Sequence, residues 1–154
     1  MTENTNQNAR TIWIDADGCP VVKESVRIAK KHHWNAVVVK NHAVQITSDY
    51  AAVITVDTTR DAADFYIANH MKQGDVVVTG DYGLAAMALA KSGKVITNNG
   101  RYITNETIDF VLETRHENKM NRMQGKRGTK IKKRTAGDNE RFTEALIELV
   151  SKMV

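Results

Sequence analysis

Three short, nearly continuous apolar runs restrict the folds open to this chain more than any other feature: Ala36-Val37-Val38-Val39, Ala52-Val53-Ile54-Thr55-Val56 and Val76-Val77-Val78. A strand with one face in water alternates apolar and polar side chains, whereas a strand covered on both faces does not. Runs of this length, rich in β-branched residues, therefore predict strands buried on both sides. Segments of helical periodicity separate them. Val22, Val26, Ala29 and His33 recur on one face of a first helix, with Lys23, Arg27, Lys30 and Lys31 on its remaining surface and an end near His33–Trp34. Ala63, Ile67 and Met71 form a second stripe. Leu84, Met87 and Ala88 form a third, in a helix from Tyr82 to about Lys91. Strand and helix in alternation predict an α/β fold of three layers, a mainly parallel sheet of about four to five strands with helices on both faces. Right-handed crossovers then bring every strand's carboxyl end to one edge, where ligands bind in such sheets.

The rest of the chain fits around that frame. Thr11–Asp15 reads as the first strand, and Pro20 suits the first turn of the helix that follows, where its missing N–H costs nothing. Thr58 or Thr59 can cap the second helix, with Asp61 in its first turn. Val95-Ile96 makes one more short strand, Asn98-Asn99-Gly100 a turn, and Thr104 an N-cap for a helix with Ile108, Val111 and Leu112 inward. Residues 1–10 are polar and read as a disordered lead-in to a single domain over 11–154. Asp138 is expected to cap a last helix, at about 138–152, that docks Phe142, Leu146 and Leu149 or Val150.

The net charge of +4 is unevenly spread. Residues 1–114 carry −2, residues 115–134 carry +8 and residues 135–154 carry −2. The basicity thus belongs to one segment, read as an exposed, mobile arm at about 115–134, and suggests a polyanionic partner. Within it, Lys126, Arg127, Lys130, Lys132, Lys133 and Arg134 could neutralise phosphates. The segment has no aromatic residue on which bases could stack, so backbone contact without sequence readout is expected. The single cysteine excludes an internal disulfide and a Cys-rich zinc site. No run approaches the roughly 18 apolar residues that span a bilayer, so a soluble cytoplasmic protein without membrane contact is expected.

The acids take their meaning from the sheet. Asp15 and Asp17 follow the first strand, Asp81 follows Val76-Val77-Val78, and Asp61 and Asp64 share a face near the start of the second helix. If the strands ending at Asp15 and before Asp81 are neighbours, four or five carboxylates converge. Like charges so placed raise one another's pKa values unless a cation neutralises them. An all-oxygen set without a His or Cys cluster favours Mg²⁺ or Mn²⁺ over Zn²⁺, and such ions commonly serve phosphate chemistry. Local capping is the competing account of each aspartate taken singly, and it explains Asp61 fully at this stage. Thr79 could position a ligand through its hydroxyl or merely bond the strand end. Cys19 sits where a helix N-terminus can lower a thiol pKa, but no base adjoins it, and a small packing residue is the simpler reading.

The segment Asp15-Ala16-Asp17-Gly18-Cys19-Pro20-Val21 resembles the D-A-D-A-C-P-V opening of the YaiI/YqxD family of uncharacterised bacterial proteins. The resemblance continues through Asp61-Ala62-Ala63-Asp64, Thr79-Gly80-Asp81-Tyr82-Gly83-Leu84-Ala85, Asn98-Asn99-Gly100-Arg101, Lys133-Arg134-Thr135, Asp138 and Arg141-Phe142. Gly18 and Asn99 depart from the Ala and Pro common at those places. The family is in turn similar to the PIN-domain-like nucleases, whose T-x-D-x-x-L segment is matched by Thr79, Asp81 and Leu84. The resemblance implies a PIN-like domain with a Mg²⁺ or Mn²⁺ cluster and hydrolysis of phosphodiesters in nucleic acid, RNA before DNA. Asp15, Asp17, Asp64 and Asp81 would be its catalytic acids, Asp61 a further ligand and Thr79 a supporting residue, with Asp64 or Asp61 as the intervening helix acid. A non-catalytic RNA-binding protein with the same shell and a phosphatase for small phosphoesters are the alternatives.

Overall fold

The computed structural model describes residues 9–59, 61–123 and 133–153. The expected lead-in at 1–8, and Lys126, Arg127, Lys130 and Lys132, lie outside the described residues. The order of elements is β1 (Thr11–Asp15), α1 (Val22–Lys31), β2 (Asn35–Asn41), β3 (Ala52–Val56), α2 (Ala62–His70), β4 (Val76–Val78), α3 (Tyr82–Ala90), β5 (Lys94–Ile96), β6 (Tyr102–Ile103), α4 (Asn105–Met123) and α5 (Ala136–Lys152). One sheet in the order β3-β2-β1-β4-β5-β6 holds all six strands, and only the β5–β6 pair is antiparallel.

The chain lays β2 and β3 to one side of β1, then places β4 and β5 on the other. That reversal makes the β1–β4 boundary the switch point of the sheet. The pair is in register from Ile12 opposite Val76 to Ile14 opposite Val78. Asp15 and Thr79 therefore follow the paired residues side by side.

Alternation along the strands divides the core in two. On one face Ile12, Ile14, Val38, Val76, Val78 and Ile96 pack with Ile28 and Ala29 of α1 and with Phe142, Leu146 and Val150 of α5. On the other, Trp13, Val39, Val77, Val95 and Ile103 pack with Ile67 of α2, with Leu84, Ala85 and Ala88 of α3, and with Ile108 of α4. This is the three-layer α/β architecture expected. The three valines of β4 are fully buried, and each such side chain contributes about 1.5–3 kcal/mol.

Several local expectations need correcting. The sheet has six strands because the two-residue β6 adds an antiparallel edge. β3 is not buried on both faces: it is the opposite edge strand and alternates between exposed and half-buried. α1 begins at Val22, two residues after Pro20, and buries Ser25, Ile28 and Ala29 while Val22 and Val26 are half-buried. His33 is exposed, in the left-handed region at φ +61°, where the chain leaves α1 for β2. Leu112 of α4 is exposed, and α4 itself runs to Met123, through the first nine residues of the expected arm. Thr135 is the N-cap of α5, and Asp138 reaches back to its N–H as the other half of a capping box. No helix among the described residues is long and apolar enough to cross a membrane.

Candidate metal centre at the carboxyl edge

β1 ends at Asp15, which is 8% exposed. Its Oδ2 accepts a hydrogen bond from the Thr79 hydroxyl at 2.9 Å, and the same Thr79 oxygen accepts the Asp81 N–H at 3.0 Å. Thr79 is 1% exposed, so this hydroxyl is a buried strut between the end of β1 and the start of α3. Asp15 Oδ1 is also buried and has no hydrogen-bond partner among the described residues. Burial pushes the Asp15 carboxyl above its ordinary value; the Thr79 hydroxyl and the Asp17 backbone N–H work against that shift, and the charges of Asp17 and Asp81 add to it. Burying a carboxylate costs roughly 1–3 kcal/mol or more where a partner is lacking, a cost that a nearby cation would offset.

Asp81 is the N-cap of α3. Its Oδ1 takes the N–H groups of Gly83 at 2.7 Å and Leu84 at 3.1 Å. The cap fixes the carboxylate but occupies one oxygen only. At the start of α2, Asp61 is the N-cap residue by position, yet its side chain makes no capping bond. Its backbone is left-handed, with φ +67°, which is costly for a residue with a Cβ. Capping therefore does not explain Asp61, contrary to the sequence reading. Asp64, in the first turn of α2, is 9% exposed. Burial, then the charges of Asp81, Asp15 and Asp61, push its carboxyl up to about 7.

One oxygen from each of Asp61, Asp64 and Asp81 lies within 4.8 Å of the others. Asp61 and Asp81 are exposed and Asp64 is buried, so water screens part of their repulsion and its effect falls on Asp64. The N-terminal ends of α2 and α3 offset part of that, since each carries a partial positive charge. The rest is what a cation would neutralise. The donor set is all oxygen and no His or Cys among the described residues lines the cleft, so the residues fit Mg²⁺ or Mn²⁺.

Asp15, Asp17, Asp61, Asp64 and Asp81 all line one cleft of about 680 Å³. Asp17 is exposed on its rim and stands outside the trio. Asp15 also stands outside it, though its charge acts on Asp64. The centre of the group thus moves from the Asp15–Asp81 pair to the α2–α3 junction. Asn41, Asp57 and Asn98 line the cleft as well; the sequence reading takes Asp57 and Asn98 as turn residues and leaves Asn41 without a role. Their signal was positional: each stands at or just after the end of a strand, β2, β3 or β5.

Two other candidates change character. Burial pushes the Cys19 thiol up to about 11, and its Sγ donates to Asn98 Oδ1 at 3.5 Å, so Cys19 is a packing residue and no nucleophile at neutral pH. Arg134 spends its guanidinium on the fold, donating to Asn139 Oδ1 at 2.9 Å and, at 2.8 Å each, to Asn99 Oδ1 and the Asn98 carbonyl. It braces the Asn98–Asn99 wall of the cleft against α5. Lys133 is exposed beside it.

The chain was compared with known proteins. A family model described as "Uncharacterized BCR, YaiI/YqxD family" matches residues 13–152. A UPF0178 protein of Alkaliphilus oremlandii is 46% identical over 143 residues, covering 93% of this chain and 92% of its own. Its counterparts in Exiguobacterium sibiricum (45%, covering 91% and 96%) and Natranaerobius thermophilus (42%, covering 92% and 97%) are similarly close. No solved structure gives a significant match. A match along nearly the whole chain, by family model and by full-length relatives alike, makes this protein a member of the YaiI/YqxD family.

Proposed function

We propose that this protein is a divalent-cation-dependent nuclease that hydrolyses phosphodiesters in single-stranded nucleic acid, RNA first, and acts in the cytoplasm. The observation that carries the reading is the meeting of Asp61, Asp64 and Asp81 within 4.8 Å beside the unsatisfied, buried oxygen of Asp15. A structural role would leave those charges paired or apart. Here, four acids from three elements share the switch point of an α/β sheet, the place where such folds bind ligands.

In this reading Asp61, Asp64 and Asp81 hold the cation. Bound there, Mg²⁺ or Mn²⁺ supplies the positive charge that polarises a phosphoryl oxygen and lowers the pKa of water. Asp15 is held in place by Thr79 and adds its charge to the cluster through Asp64. Asp17, on the rim, acts on Asp15 through its charge. The basic residues Lys126, Arg127, Lys130, Lys132 and Lys133 then serve to hold the polyanion against an acidic cleft that would otherwise repel it. The similarity of Thr79-x-Asp81-x-x-Leu84 to the PIN-domain nucleases supports the same chemistry.

The test is cleavage of a labelled single-stranded RNA with Mn²⁺. The parent should cut, and the Asp15→Asn/Asp81→Asn double variant should not. Equal cleavage by both would overturn the reading. Binding without cleavage by the parent would replace it with a non-catalytic RNA-binding role.

A further inference from the structure

A second and larger cavity lies on the other side of the loop that follows β1. It is a groove of about 1100 Å³ between α1 and the segment 44–50, floored by Val38, Ala16 and Cys19. Lys23, Arg27 and Lys30 line its helical wall. Their spacing of four and three residues puts them on one face of α1, along roughly 10 Å of its axis. All three are exposed, and none is engaged in a salt bridge among the described residues. The remaining lining is largely apolar or neutral, with Val22, Val26, Val44, Ile46 and Tyr50 prominent, while Glu24 and Asp49 supply its two carboxylates.

The groove and the acidic cleft share one loop as their common wall. Asp15, Asp17 and Gly18 line the cleft; Ala16, Cys19 and Pro20 line the groove. A strand lying in the groove would have only that loop to cross to reach the cleft. The pairing of a row of cations with apolar surface is what a single strand needs, because its phosphates seek charge and its bases seek flat apolar contact. An acidic peptide would use the cations but not the apolar floor.

We propose that this groove is the track for a single-stranded nucleic acid, with phosphates on Lys23, Arg27 and Lys30 and bases against Val26, Ile46 and Tyr50, leading the scissile bond to the acid cluster. The inference rests on the nuclease reading of the cleft. It assigns substrate positioning to the folded α1 face as well as to the basic residues of 126–133.

The test compares two variants with equal loss of charge, Arg27→Ala/Lys30→Ala in the groove and Lys72→Ala/Lys94→Ala at the amino edge of the sheet. A fluorescent single-stranded oligouridylate is titrated without divalent ions, across a range of salt. The groove variant should bind at least about tenfold more weakly and lose about 1.4 from the slope of log affinity against log salt. The amino-edge variant should keep the parent's slope. Photo-crosslinking of a 4-thiouridine RNA to the parent should mark α1 or residues 44–50. Equal losses in the two variants, crosslinks confined to 124–133, or competition by polyglutamate as effective as by RNA would each overturn the groove assignment while leaving the nuclease reading intact. A parent that binds Mn²⁺ nowhere and leaves RNA uncut would remove the reading beneath it.

Discussion

The Thr79 hydroxyl stands 2.9 Å from Asp15 Oδ2, and through it the last residue of β1 is tied to the first residues of α3. Thr79→Val keeps the shape but leaves a buried carboxylate and the Asp81 N–H without their partner. It should cost about 1–3 kcal/mol in urea unfolding and weaken Mn²⁺ affinity, because Asp81 loses its anchor. Thr79→Ser keeps the hydroxyl and should recover most of both. Equal loss in the two variants would show that the methyl group, not the hydrogen bond, is what matters.

Asp81 has two separable roles, and two substitutions part them. Asparagine can still cap α3, whereas alanine cannot. Asp81→Asn should retain near-parental stability and lose most Mn²⁺ binding. Asp81→Ala should lose the binding and about 1 kcal/mol of stability besides. Calorimetric titration with Mn²⁺ beside thermal unfolding reads both. Retained Mn²⁺ affinity in Asp81→Asn would remove Asp81 from the ligand set.

The pH dependence follows from Asp64. Its ordinary value of 3.8 rises to about 7 in the fold. Between those values the folded chain keeps a proton that the unfolded chain has released, so stability is highest on the acid side and declines as pH rises toward 7. The cation-free protein should therefore melt higher at pH 5.5 than at pH 8. Asp64→Asn should flatten that difference and, at pH 8, raise stability by about 1 kcal/mol after solvent screening, or about 3 °C in Tm. Added Mn²⁺ should stabilise the parent more at pH 8 than at pH 5.5, since protons compete for the same oxygens. Melting curves that ignore pH would contradict the raised pKa of the Asp64 carboxyl.

Cys19 yields a chemical prediction. With its thiol at about 11, the thiolate is scarce at pH 7.5. Alkylation by iodoacetamide should run roughly 100-fold slower than for a free thiol near its ordinary pKa. Mass spectrometry over a time course measures this, and Cys19→Ala should leave RNA cleavage intact. Rapid alkylation would reopen the case for Cys19 as a reactive group.

Arg134 was read from the sequence as a phosphate contact, and its hydrogen bonds make it a brace. Arg134→Ala should lower stability by about 1–2 kcal/mol, because three acceptors lose a charged donor. Arg134→Lys should recover little, since an ammonium cannot span the fork. A change confined to RNA affinity, with unfolding unaltered, would restore the earlier reading.

What the sequence made legible was whatever local chemistry dictates. β1, β2 and β4 announced themselves because burial on both faces leaves no room for polar residues, and Asp15, Thr79 and Asp81 fall at their ends for the same reason. Asp61 was misjudged because a left-handed N-cap whose side chain makes no cap bond depends on how α2 meets the cleft, which no local pattern encodes. Asp75 gives no sign of its role in the sequence. It is buried, taking N–H bonds from Thr11, Trp13 Nε1 and Lys72, and two of those donors are more than sixty residues away. The inward face of α1 was shifted because Ser25 is buried by bonding its own helix at the Val21 carbonyl, which makes a polar residue act as packing. β6 was too short to carry any period.

The backbone at Asp61 has an implication for engineering this protein. Its left-handed φ costs roughly 1 kcal/mol in a residue with a Cβ, and glycine would remove that cost. Selection for heat resistance alone would thus find early gains in Asp61→Gly and Asp64→Asn, at the cluster itself. Thermostability that accumulates at these two positions would be a sign of function being given up, and a stabilised version meant to remain active should be built with both held fixed.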